Sequence, residues 1–416
     1  MSYPTVTLLP RKEVPVLGGH PWVFSKGIRE PKASASQQVS TLGVVPVSAP
    51  DLAPGSLVTL LASDGRGLGI GTYNPLTNIR VRLITRDTQQ TIDQAFFEKR
   101  FAELTTWKQN HLPPNTNGYR LVHAETDSIP GLIIDRYGST FVFQLHTAGM
   151  EHFRTEIIEA LKTTFSPRAI VERSDIEVRK QEGLTDMPIT VHHGDITGPV
   201  TFQENGISFY ADTLHGQKTG FFLDQRDARA EVGNISANKR VLNLFSYSGA
   251  YSVYAAKNGA TQVTSIDISK PALDQAKQNF KLNHLDPNDT TKYAFEDHDI
   301  FDIVGRAQLP HGPYDVIVCD PPALAKTEAH VQNASKAYLM LNQHCFTHLE
   351  KGGVLITSSC SGRISQEEFR DILRIAAGRA GKQTKILKWI TQPADHAELL
   401  AFTEGRYLKT AIIEVV

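Results

Sequence analysis

The chain has 416 residues, of which 40% are hydrophobic and 21% are charged, and its formal net charge is −1. This composition is typical of a globular protein with about two to four domains, and it excludes a disordered chain and one that is strongly basic or acidic throughout. The sequence contains no apolar run near the roughly 18 residues of a membrane span, no signal-peptide pattern and only three cysteines, which together predict a cytoplasmic protein without a disulfide framework.

Residues 1–88 are predicted to form a small β-barrel-like domain. Strands are expected at Ser56–Ala62, Leu68–Tyr73 and Ile79–Ile84. The composition of Ser63–Gly67 is that of a hairpin turn. The region holds nine Lys/Arg against five Asp/Glu, and Arg80 and Arg82 share one face of the last strand, which is compatible with a surface for nucleic acid. Pro31–Pro54, rich in Ser, Ala, Pro and Val, is predicted to be a flexible surface insertion.

Residues 89–205 are predicted to form a small central α+β domain. A helix is expected over Ile92–Leu112, because its apolar residues fall at helical spacing and favour core packing. These residues are Phe96, Phe97, Phe101, Leu104 and Trp107. Strands are expected at Tyr119–His123, Gly131–Arg136, Thr140–His146 and Ala169–Val171, with a helix over Glu151–Phe165.

Residues 206–416 alternate regularly between strand and helix patterns. Strands are expected at Val241–Leu244, Val263–Ile266, Tyr293–Phe295, Asp315–Cys319, Val354–Ser358, Thr384–Trp389 and near Leu408–Val415. Helices are expected at Lys270–Leu285 and Ser365–Ala377, the latter with a capping box formed by Ser365 and Glu368. The alternation predicts a doubly wound, Rossmann-like α/β domain, whose ligands lie beyond the carboxyl ends of its strands.

A glycine turn follows the first strand of this domain. Ser246–Gly249 separates the strand from a helix, and the next strand ends at Asp267, close to the roughly 20-residue spacing of nucleotide-binding units. One glycine, rather than the three of a dinucleotide fingerprint, favours S-adenosylmethionine over NAD. The alternative is an ordinary strand–helix–strand crossover.

Three acids end consecutive strand-like segments and are expected at the same edge. We predict that Asp267 binds the ribose and Asp299 the adenine amino group of the cofactor, while Asp320, fixed by the two following prolines, meets a planar base. The alternatives are a helix cap or a strand terminator. The predicted cofactor contacts also include Asn243, Phe245, Ser246, Gly249, Ile268, Ile300 and Asp320.

Two further features complete the predicted site. Cys360 leaves a long strand into a loop of small residues, which favours a reactive thiol, whereas the alternative of a buried structural cysteine suits Cys345 and places Cys319 in the core or cofactor wall. The run Gln217–Arg229 is predicted to cover the cofactor, with Asp224 or Arg226 near its charged methionine end.

Several of these runs together resemble the RlmI-type family, which are cytosine-C5 methyltransferases of large-subunit ribosomal RNA. The matching runs are Gln217–Arg229, Val241–Gly249, Asp320–Pro322, Ser358–Gly362, Pro393–His396 and Glu404–Lys409. The resemblance implies an N-terminal PUA domain, a central domain and a Rossmann-like methyltransferase domain. It also implies 23S ribosomal RNA as partner, with Cys360 as nucleophile and Asp320 as the acid of the Asp-Pro-Pro motif; a homodimer is left open. The chain departs from the family at Ala323–Leu324 and within Tyr338–Asn342.

The expected reaction is addition of the Cys360 thiolate to C6 of cytosine, followed by methylation at C5. A helper cysteine found after the motif proline in many RNA cytosine-C5 enzymes is replaced by Ala323. Two alternatives are open: methylation of a base nitrogen, which needs no Cys360, and a non-catalytic RNA-binding assembly factor with a vestigial cofactor fold.

Overall fold

The computed structural model describes residues 3–29, 52–304, 309–325 and 327–416. The insertion predicted at 31–54 lies outside the described residues, except for 52–54. Within these ranges the chain forms sheets of five, five and seven strands and one two-stranded hairpin. None of the described helices is both long enough and apolar enough to cross a membrane.

The N-terminal residues form the first five-stranded sheet. Its elements are β1 (Thr5–Thr7), α1 (Glu13–Leu17), β2 (Trp22–Phe24), β3 (Ser56–Leu61), β4 (Gly67–Tyr73) and β5 (Ile79–Thr85). The strand order is β1-β3-β4-β5-β2. Alternate residues of β3, Val58 and Leu60, are fully buried, as expected of a strand with one face inward. β3 and β4 pair antiparallel, which confirms the hairpin predicted around Ser63–Gly67.

The expectation that Arg80 and Arg82 face nucleic acid together is wrong for Arg82. Arg82 is 7% exposed, and its guanidinium lies 2.7 Å from Glu182 and 3.9 Å from Glu125. Arg80 donates hydrogen bonds to backbone carbonyls of its own turn. Strand alternation placed both arginines on one face, but that face packs against the central residues, where carboxylates neutralise Arg82.

The central residues form the second five-stranded sheet, in the order β10-β9-β8-β7-β6. The elements are α2 (Gln94–His111), β6 (Gly118–His123), β7 (Leu132–Tyr137), β8 (Thr140–Leu145), α3 (Ala148–Glu151), α4 (Arg154–Phe165), β9 (Ala169–Glu172), α5 (Val178–Gln181) and β10 (Thr190–His193). The helix predicted over Glu151–Phe165 is thus confirmed as α4, which begins at Arg154, and the short helix α3 precedes it. Phe97 and Phe101 are fully buried as predicted, but Trp107 is 41% exposed and stacks on His111, so its assignment to the core is wrong.

A hairpin of β11 (Val200–Glu204) and β12 (Ile207–Ala211) follows. Its turn contains Gly206 at φ +77°, so the domain boundary predicted between 205 and 206 falls inside the hairpin. Phe202 and Phe209 from its two strands both pack against Phe221. The hairpin therefore shares a core with the third sheet.

The third sheet has seven strands in the order β15-β14-β13-β16-β17-β19-β18. Its elements are α6 (Arg226–Ile235), β13 (Arg240–Leu244), α7 (Ala250–Lys257), β14 (Gln262–Asp267), α8 (Lys270–Leu282), β15 (Tyr293–Asp297), α9 (Ile300–Ile303), β16 (Tyr314–Cys319), α10 (Val331–Thr347), β17 (Leu349–Ser359), α11 (Gln366–Arg379), β18 (Thr384–Ile390) and β19 (Lys409–Val415). All seven strands predicted for this region are confirmed, as is the capping box of Ser365 and Glu368.

Both faces of this sheet are covered by helices. Val241 and Val316 point to a core shared with α7 and α8, whereas Leu242 and Ile317 point to a second core shared with α10 and α11. Strands buried on both faces need apolar residues at consecutive positions, which is why they appear in the sequence as short apolar runs.

The strand order fixes where a ligand can enter. β13 pairs parallel with β14 on one side and with β16 on the other. The chain runs outward from β13 to β15 and then crosses to β16, so the connections diverge between the carboxyl ends of β13 and β16. Such a switch point opens a crevice, and the predicted site residues follow the strands that border it.

Candidate active site

The turn after β13 has the sharp backbone that the sequence predicts. Gly249 has φ +73° and directly precedes α7, and its N–H donates to the carbonyl oxygen of Ser246 at 2.8 Å. A Cβ atom at Gly249 would lie 2.7 Å from Cβ of Ala276 on α8. Glycine is therefore required both by the left-handed backbone and by helix packing.

Asp267 ties this turn to the neighbouring strand. Its carboxylate accepts the N–H of Tyr247 at 2.7 Å and that of Ser269 at 2.8 Å. Each carboxylate oxygen keeps a second lone pair, so both can still accept a hydrogen bond from a ligand hydroxyl. Ile268 is 65% exposed and adds apolar surface beside the carboxylate.

Asp299 and its neighbours border the adjacent strand end. Asp299 caps α9 by accepting the N–H of Phe301 at 2.9 Å, which is the contact expected of the helix-cap alternative. The ring of Phe245 lies 5.9 Å from that of Phe301. Ile300 is 2% exposed and packs in the sheet core. The structure thus places Asp299 and Phe245 at the carboxyl edge and Ile300 inside the protein.

Asn243 and Ser246 have different surroundings. Asn243 is 1% exposed and donates to the hydroxyl of Ser252 on α7 at 2.9 Å, so its amide joins strand to helix. Ser246 is 5% exposed, and its hydroxyl has no hydrogen-bond partner among the described residues. A buried polar atom without a partner at this edge suits a polar ligand.

Asp320 leaves the carboxyl end of β16. Nε2 of Gln225 donates to both carboxylate oxygens at 3.0 Å, and the hydroxyl of Tyr251 donates to Oε1 of Gln225 at 3.0 Å. Burial, and then the negative charge of Asp224, raise the pKa of Asp320 to about 7. A carboxyl group with this pKa is partly protonated at neutral pH, so it can donate as well as accept a hydrogen bond.

Asp224 is the opposite kind of acid. Its Oδ2 accepts from Nζ of Lys218 at 2.8 Å and from the hydroxyl of Tyr407 at 2.9 Å. Burial disfavours the charge, but the Lys218 ammonium together with His396 and Arg120 outweighs burial and holds the pKa of Asp224 well below its usual range. Its Oδ1 is buried without a partner among the described residues. Asp224 is therefore a fixed negative charge with one open acceptor.

Arg226 is held in a buried ion pair. It is 1% exposed, and its Nη2 donates to Oδ1 of Asp395 at 2.5 Å. Oδ2 of Asp395 accepts the N–H of Arg120 at 3.0 Å, and its carbonyl oxygen accepts Nζ of Lys108 at 2.9 Å. Asp395 thus links Arg226 to the central residues, and the predicted contact of Arg226 with a cofactor stays a prediction.

Cys360 and Asp320 leave neighbouring strands. β16 and β17 pair parallel with Cys319 opposite Thr357, so Asp320 follows the first strand of this pair and Cys360 the second. The thiol of Cys360 lies 4.0 Å from the carbonyl oxygen of Pro321, the residue after Asp320. The structure therefore brings the two predicted catalytic residues to one place.

Cys360 also differs from the other cysteines in exposure. It is half-buried, whereas Cys319 and Cys345 are 0% exposed. Burial, and then the negative charge of Asp320, raise the pKa of Cys360 to about 12. A reagent or substrate can reach Cys360, but its thiolate needs stabilisation to form.

Four residues of this cluster have no individual role that the sequence alone predicts. They are Lys218, Gln225, Asp395 and Tyr407. All four lie in runs with many charged or aromatic residues, namely Gln217–Arg229, Pro393–His396 and Glu404–Lys409. The composition of these runs could have indicated that the four residues are functional. Their hydrogen-bond partners can be identified only from the fold.

Two family models match the chain. The S-adenosylmethionine-dependent methyltransferase model matches residues 184–374, and the PUA-like domain model matches residues 6–86. These matches confirm the predicted fold class, a Rossmann-like methyltransferase domain with a PUA-like N-terminal domain.

Full-length relatives are similar over nearly the whole chain. A protein of Aeromonas salmonicida (strain A449) named ribosomal RNA large subunit methyltransferase I is 39% identical over 413 residues, 98% of either chain. A protein of the same name from Klebsiella pneumoniae (strain 342) is 37% identical over 410 residues, 98% of this chain and 97% of the relative.

Two solved structures share the complete architecture. One, described as a SAM-dependent methyltransferase from Streptococcus mutans, has a TM-score of 0.78 and 25% identity, and the match covers 99% of this chain and 100% of the other. The second, a methyltransferase in complex with SAH, has a TM-score of 0.78 and 26% identity over 100% of both chains.

Replacing Asp320 by Asn should stabilise the protein at neutral pH. The folded protein raises the pKa of Asp320 from 3.8 to about 7, so between these values the folded state binds more protons than the unfolded state. Wild-type stability therefore falls as the pH rises through this window. Near pH 8 the melting temperature of Asp320→Asn should be roughly 2–8 °C higher, from about 1–2 kcal/mol after solvent screening.

Near pH 4 the two melting temperatures should converge. Asp274→Asn, which removes an exposed carboxylate from α8, is the matched control and should not produce this pH-dependent difference. Equal melting temperatures of wild type and Asp320→Asn at both pH values would contradict the raised pKa.

Proposed function

The chain belongs to the ribosomal RNA large subunit methyltransferase I family, and we propose that it methylates C5 of a cytosine in 23S ribosomal RNA through a covalent bond between Cys360 and C6 of the base. It is a SAM-dependent ribosomal RNA methyltransferase. The observation that carries the finer proposal is the placement of Cys360 and Asp320 at adjacent strand ends beside the switch point. A thiol and a carboxyl group at one site are the two groups that this chemistry needs.

The crevice fits S-adenosylmethionine, which supplies a methyl group bound to a positively charged sulfur. We assign the ribose hydroxyls to Asp267, whose oxygens keep open lone pairs, and the adenine amino group to Asp299. Oδ1 of Asp224 and the hydroxyl of Ser246, both buried without partners among the described residues, suit the polar methionine end.

Cys360 provides the nucleophile in this proposal. Its thiolate forms a bond to C6 of cytosine, and the electron pair of the C5–C6 double bond moves to make C5 nucleophilic. C5 then takes the methyl group. Loss of the C5 proton restores the double bond and expels the thiolate, which returns Cys360 unchanged. The base must leave its stack to reach this residue.

Asp320 assists by contacting the edge of the base. With a pKa raised to about 7, it carries a proton in part of the molecules at neutral pH. A protonated carboxyl group donates to N3 of cytosine and stabilises the negative charge that the addition of the thiolate develops there. Gln225, which donates to both oxygens, orients the group.

Methylation of a base nitrogen is the second candidate. The raised pKa of Cys360, about 12, favours it, because a thiol that stays protonated is a weak nucleophile. This route would use Asp320 and the cofactor crevice but would not require Cys360.

We propose three units, at 1–88, 89–205 and 206–416. The three separate sheets support the number of units, whereas the hairpin of β11 and β12 crosses the second boundary and packs with the third unit. A homodimer and a cytoplasmic location are further predictions, which sedimentation velocity and cell fractionation test directly.

The proposed RNA contact of the N-terminal unit uses four exposed basic side chains. Arg11, Lys12, Lys26 and Arg29 lie on two segments joined by hydrogen bonds of their backbones. Phe24, 40% exposed, lies directly before the second segment and offers a ring for base stacking.

Replacing these four basic residues by Ser should weaken RNA binding and reduce its salt dependence. Each lost phosphate contact lowers the salt slope by about 0.7 for single-stranded RNA, so a decrease of up to roughly 3 is expected. Filter binding of a 23S RNA fragment at several salt concentrations measures both. The control is the double variant Lys281→Ser with Lys292→Ser, which changes two exposed lysines on α8 and directly before β15. An unchanged slope in the fourfold variant would move RNA recognition elsewhere.

Replacing Asp267 by Ala should weaken S-adenosylmethionine binding by about 1.5–3 kcal/mol, the scale of a hydrogen bond to a charged group. Titration calorimetry of the folded variant measures this. Asp297→Ala, at an exposed position at the end of the adjacent strand β15, should leave the affinity unchanged. Wild-type affinity in Asp267→Ala would remove Asp267 from the cofactor site.

RNA in which 5-fluorocytidine replaces cytidine should trap the enzyme covalently, because fluorine cannot leave C5 as a proton does. The adduct should appear on denaturing gels with wild type and with Cys345→Ala and Cys319→Ala, whose thiols are buried. Cys360→Ala should form no adduct and transfer no methyl group to RNA, yet should still bind the cofactor.

The same variants separate the alternatives. Full methylation by Cys360→Ala would move the assignment to a base nitrogen. An adduct through Cys319 would keep the chemistry and replace the nucleophile. Absence of methyl transfer by wild type on every precursor of the large subunit would favour the non-catalytic assembly factor.

A further inference from the structure

The loop after Cys360 encloses a buried lysine. Lys409 begins β19, and the antiparallel register places it opposite Ser359, the residue before Cys360. Lys409 is 6% exposed. Its Nζ donates to the carbonyl oxygen of Ser361 at 2.7 Å and to that of Ile364. The ammonium group therefore lies inside the turn that carries the thiol.

This cation is buried without a matching anion. Among the described side chains, no carboxylate forms an ion pair with Lys409, and its two hydrogen-bond partners are neutral. Burial lowers the pKa of Lys409 to about 8, against the opposing effect of Cys360 and the exposed Glu368. An unpaired buried cation costs free energy. We therefore expect the charge of Lys409 to be balanced by a negative charge that forms during the reaction.

The loop does not need Lys409 alone to keep its shape. The hydroxyl of Ser361 accepts the N–H of Ala325 at 3.2 Å and lies 3.4 Å from the hydroxyl of Tyr338. Because these contacts already anchor the turn, a neutral donor at position 409 would be sufficient for structure. The positive charge is what Lys409 adds.

The charges that face Cys360 are otherwise unfavourable to a thiolate. Asp320 and Asp224 both oppose ionisation of the thiol, and Lys218, the cation that favours it, is bound to Asp224 at 2.8 Å. Tyr338, the titratable group contributed by α10, is neutral because its pKa is raised to about 12. Lys409 is thus a buried cation next to the Cys360 loop that forms an ion pair with none of the described carboxylates.

We propose that Lys409 is a positioning residue for Cys360: its buried ammonium group stabilises the thiolate, and its two hydrogen bonds hold the loop that presents the sulfur. The inference rests on the proposed function for the use made of the thiolate, whereas the stabilisation itself is a property of the folded protein. Lys409 thereby stabilises the Cys360 thiolate, which burial and the nearby carboxylates destabilise.

The test measures the reactivity of Cys360 rather than turnover. Iodoacetamide is neutral and reacts with thiolates, and mass spectrometry of the peptide that contains Cys360 gives its alkylation rate at each pH. Lys409→Gln keeps an N–H donor and removes the charge. Its rate near pH 7 should be roughly three- to tenfold below that of wild type, because the thiolate fraction falls tenfold for each pKa unit while nucleophilicity partly recovers.

The pH dependence separates charge from structure. Above the pKa of Lys409, about 8, the wild-type lysine loses its charge, so the ratio of the two rates should approach one. Lys409→Arg should keep the wild-type rate near pH 7, and Lys388→Gln, at an exposed lysine of β18, should not alter it. A rate for folded Lys409→Gln equal to that of wild type, or a ratio that does not change with pH, would overturn the proposal.

Wild type alone provides a second measurement should Lys409→Gln fail to fold. Its logarithmic alkylation rate should rise less steeply with pH above about 8 than below it; a straight line of unit slope through this range would overturn the proposal. Methyl transfer is measured separately. A shifted alkylation profile together with full methylation by Cys360→Ala would support the role of Lys409 and refute the thiolate mechanism.

Discussion

The buried carboxylate of Asp395 is the contact on which the arrangement of the site depends. It is 0% exposed, and it accepts hydrogen bonds from Arg226 on α6 and from the backbone of Arg120 on β6. Burial disfavours its charge, but the neighbouring His396 and Arg226 outweigh that cost and hold the pKa of Asp395 far below its usual range. Breaking such a buried pair by removing one partner costs roughly 3–5 kcal/mol. Asp395 also accepts the Nζ of Lys108 at its carbonyl oxygen, so its contacts with Arg120 and Lys108 join this pair to the central residues.

This ion pair also positions the residues beside Arg226 in the chain. Gln225 and Asp224 directly precede it, at the start of α6. With Arg226 fixed, Gln225 reaches Asp320 across the crevice, and Asp224 reaches Tyr407 just before β19. The segment therefore contacts three parts of the fold within three consecutive residues. The buried ion pair therefore adds to the contacts that Asp224 and Gln225 make within the site.

The sequence predicts the strands of the third sheet well because each strand is buried on both faces and needs a local apolar run, as in Val241–Leu244. Because parallel strands end at one edge of the sheet, the ends of these runs also predict that Asp267, Asp320 and Cys360 lie together. The sequence predicts less well where a local pattern indicates whether a side chain is buried but not which residue it contacts. Trp107 matches a helical core position yet stacks on His111 at the surface, and Arg82 occupies an apparently exposed face yet pairs with Glu182.

Long-range partners are also beyond local patterns. Gln225 and Asp320 lie 95 positions apart, and Arg226 and Asp395 lie 169 positions apart. Composition marks both runs as unusual, but hydrophobic periodicity carries no information about which polar side chains meet. The position of Gly249 in the turn is predictable from the sequence. The lack of space for a Cβ atom there is not, because it depends on how α7 and α8 pack.

Two buried acids in one crevice have pKa values shifted in opposite directions, because Asp224 is paired with a cation whereas Asp320 is not. Asp224 meets the Lys218 ammonium and the Tyr407 hydroxyl and stays ionised. Asp320 accepts hydrogen bonds from the neutral amide of Gln225; burial, and then the negative charge of Asp224, raise its pKa to about 7. The shift of Asp320 depends in part on Asp224, because the permanent charge on Asp224 helps to keep a proton on Asp320. A fixed anion beside a protonated acid separates the two tasks, one acid to bind a cationic group and the other to donate a hydrogen bond to a base.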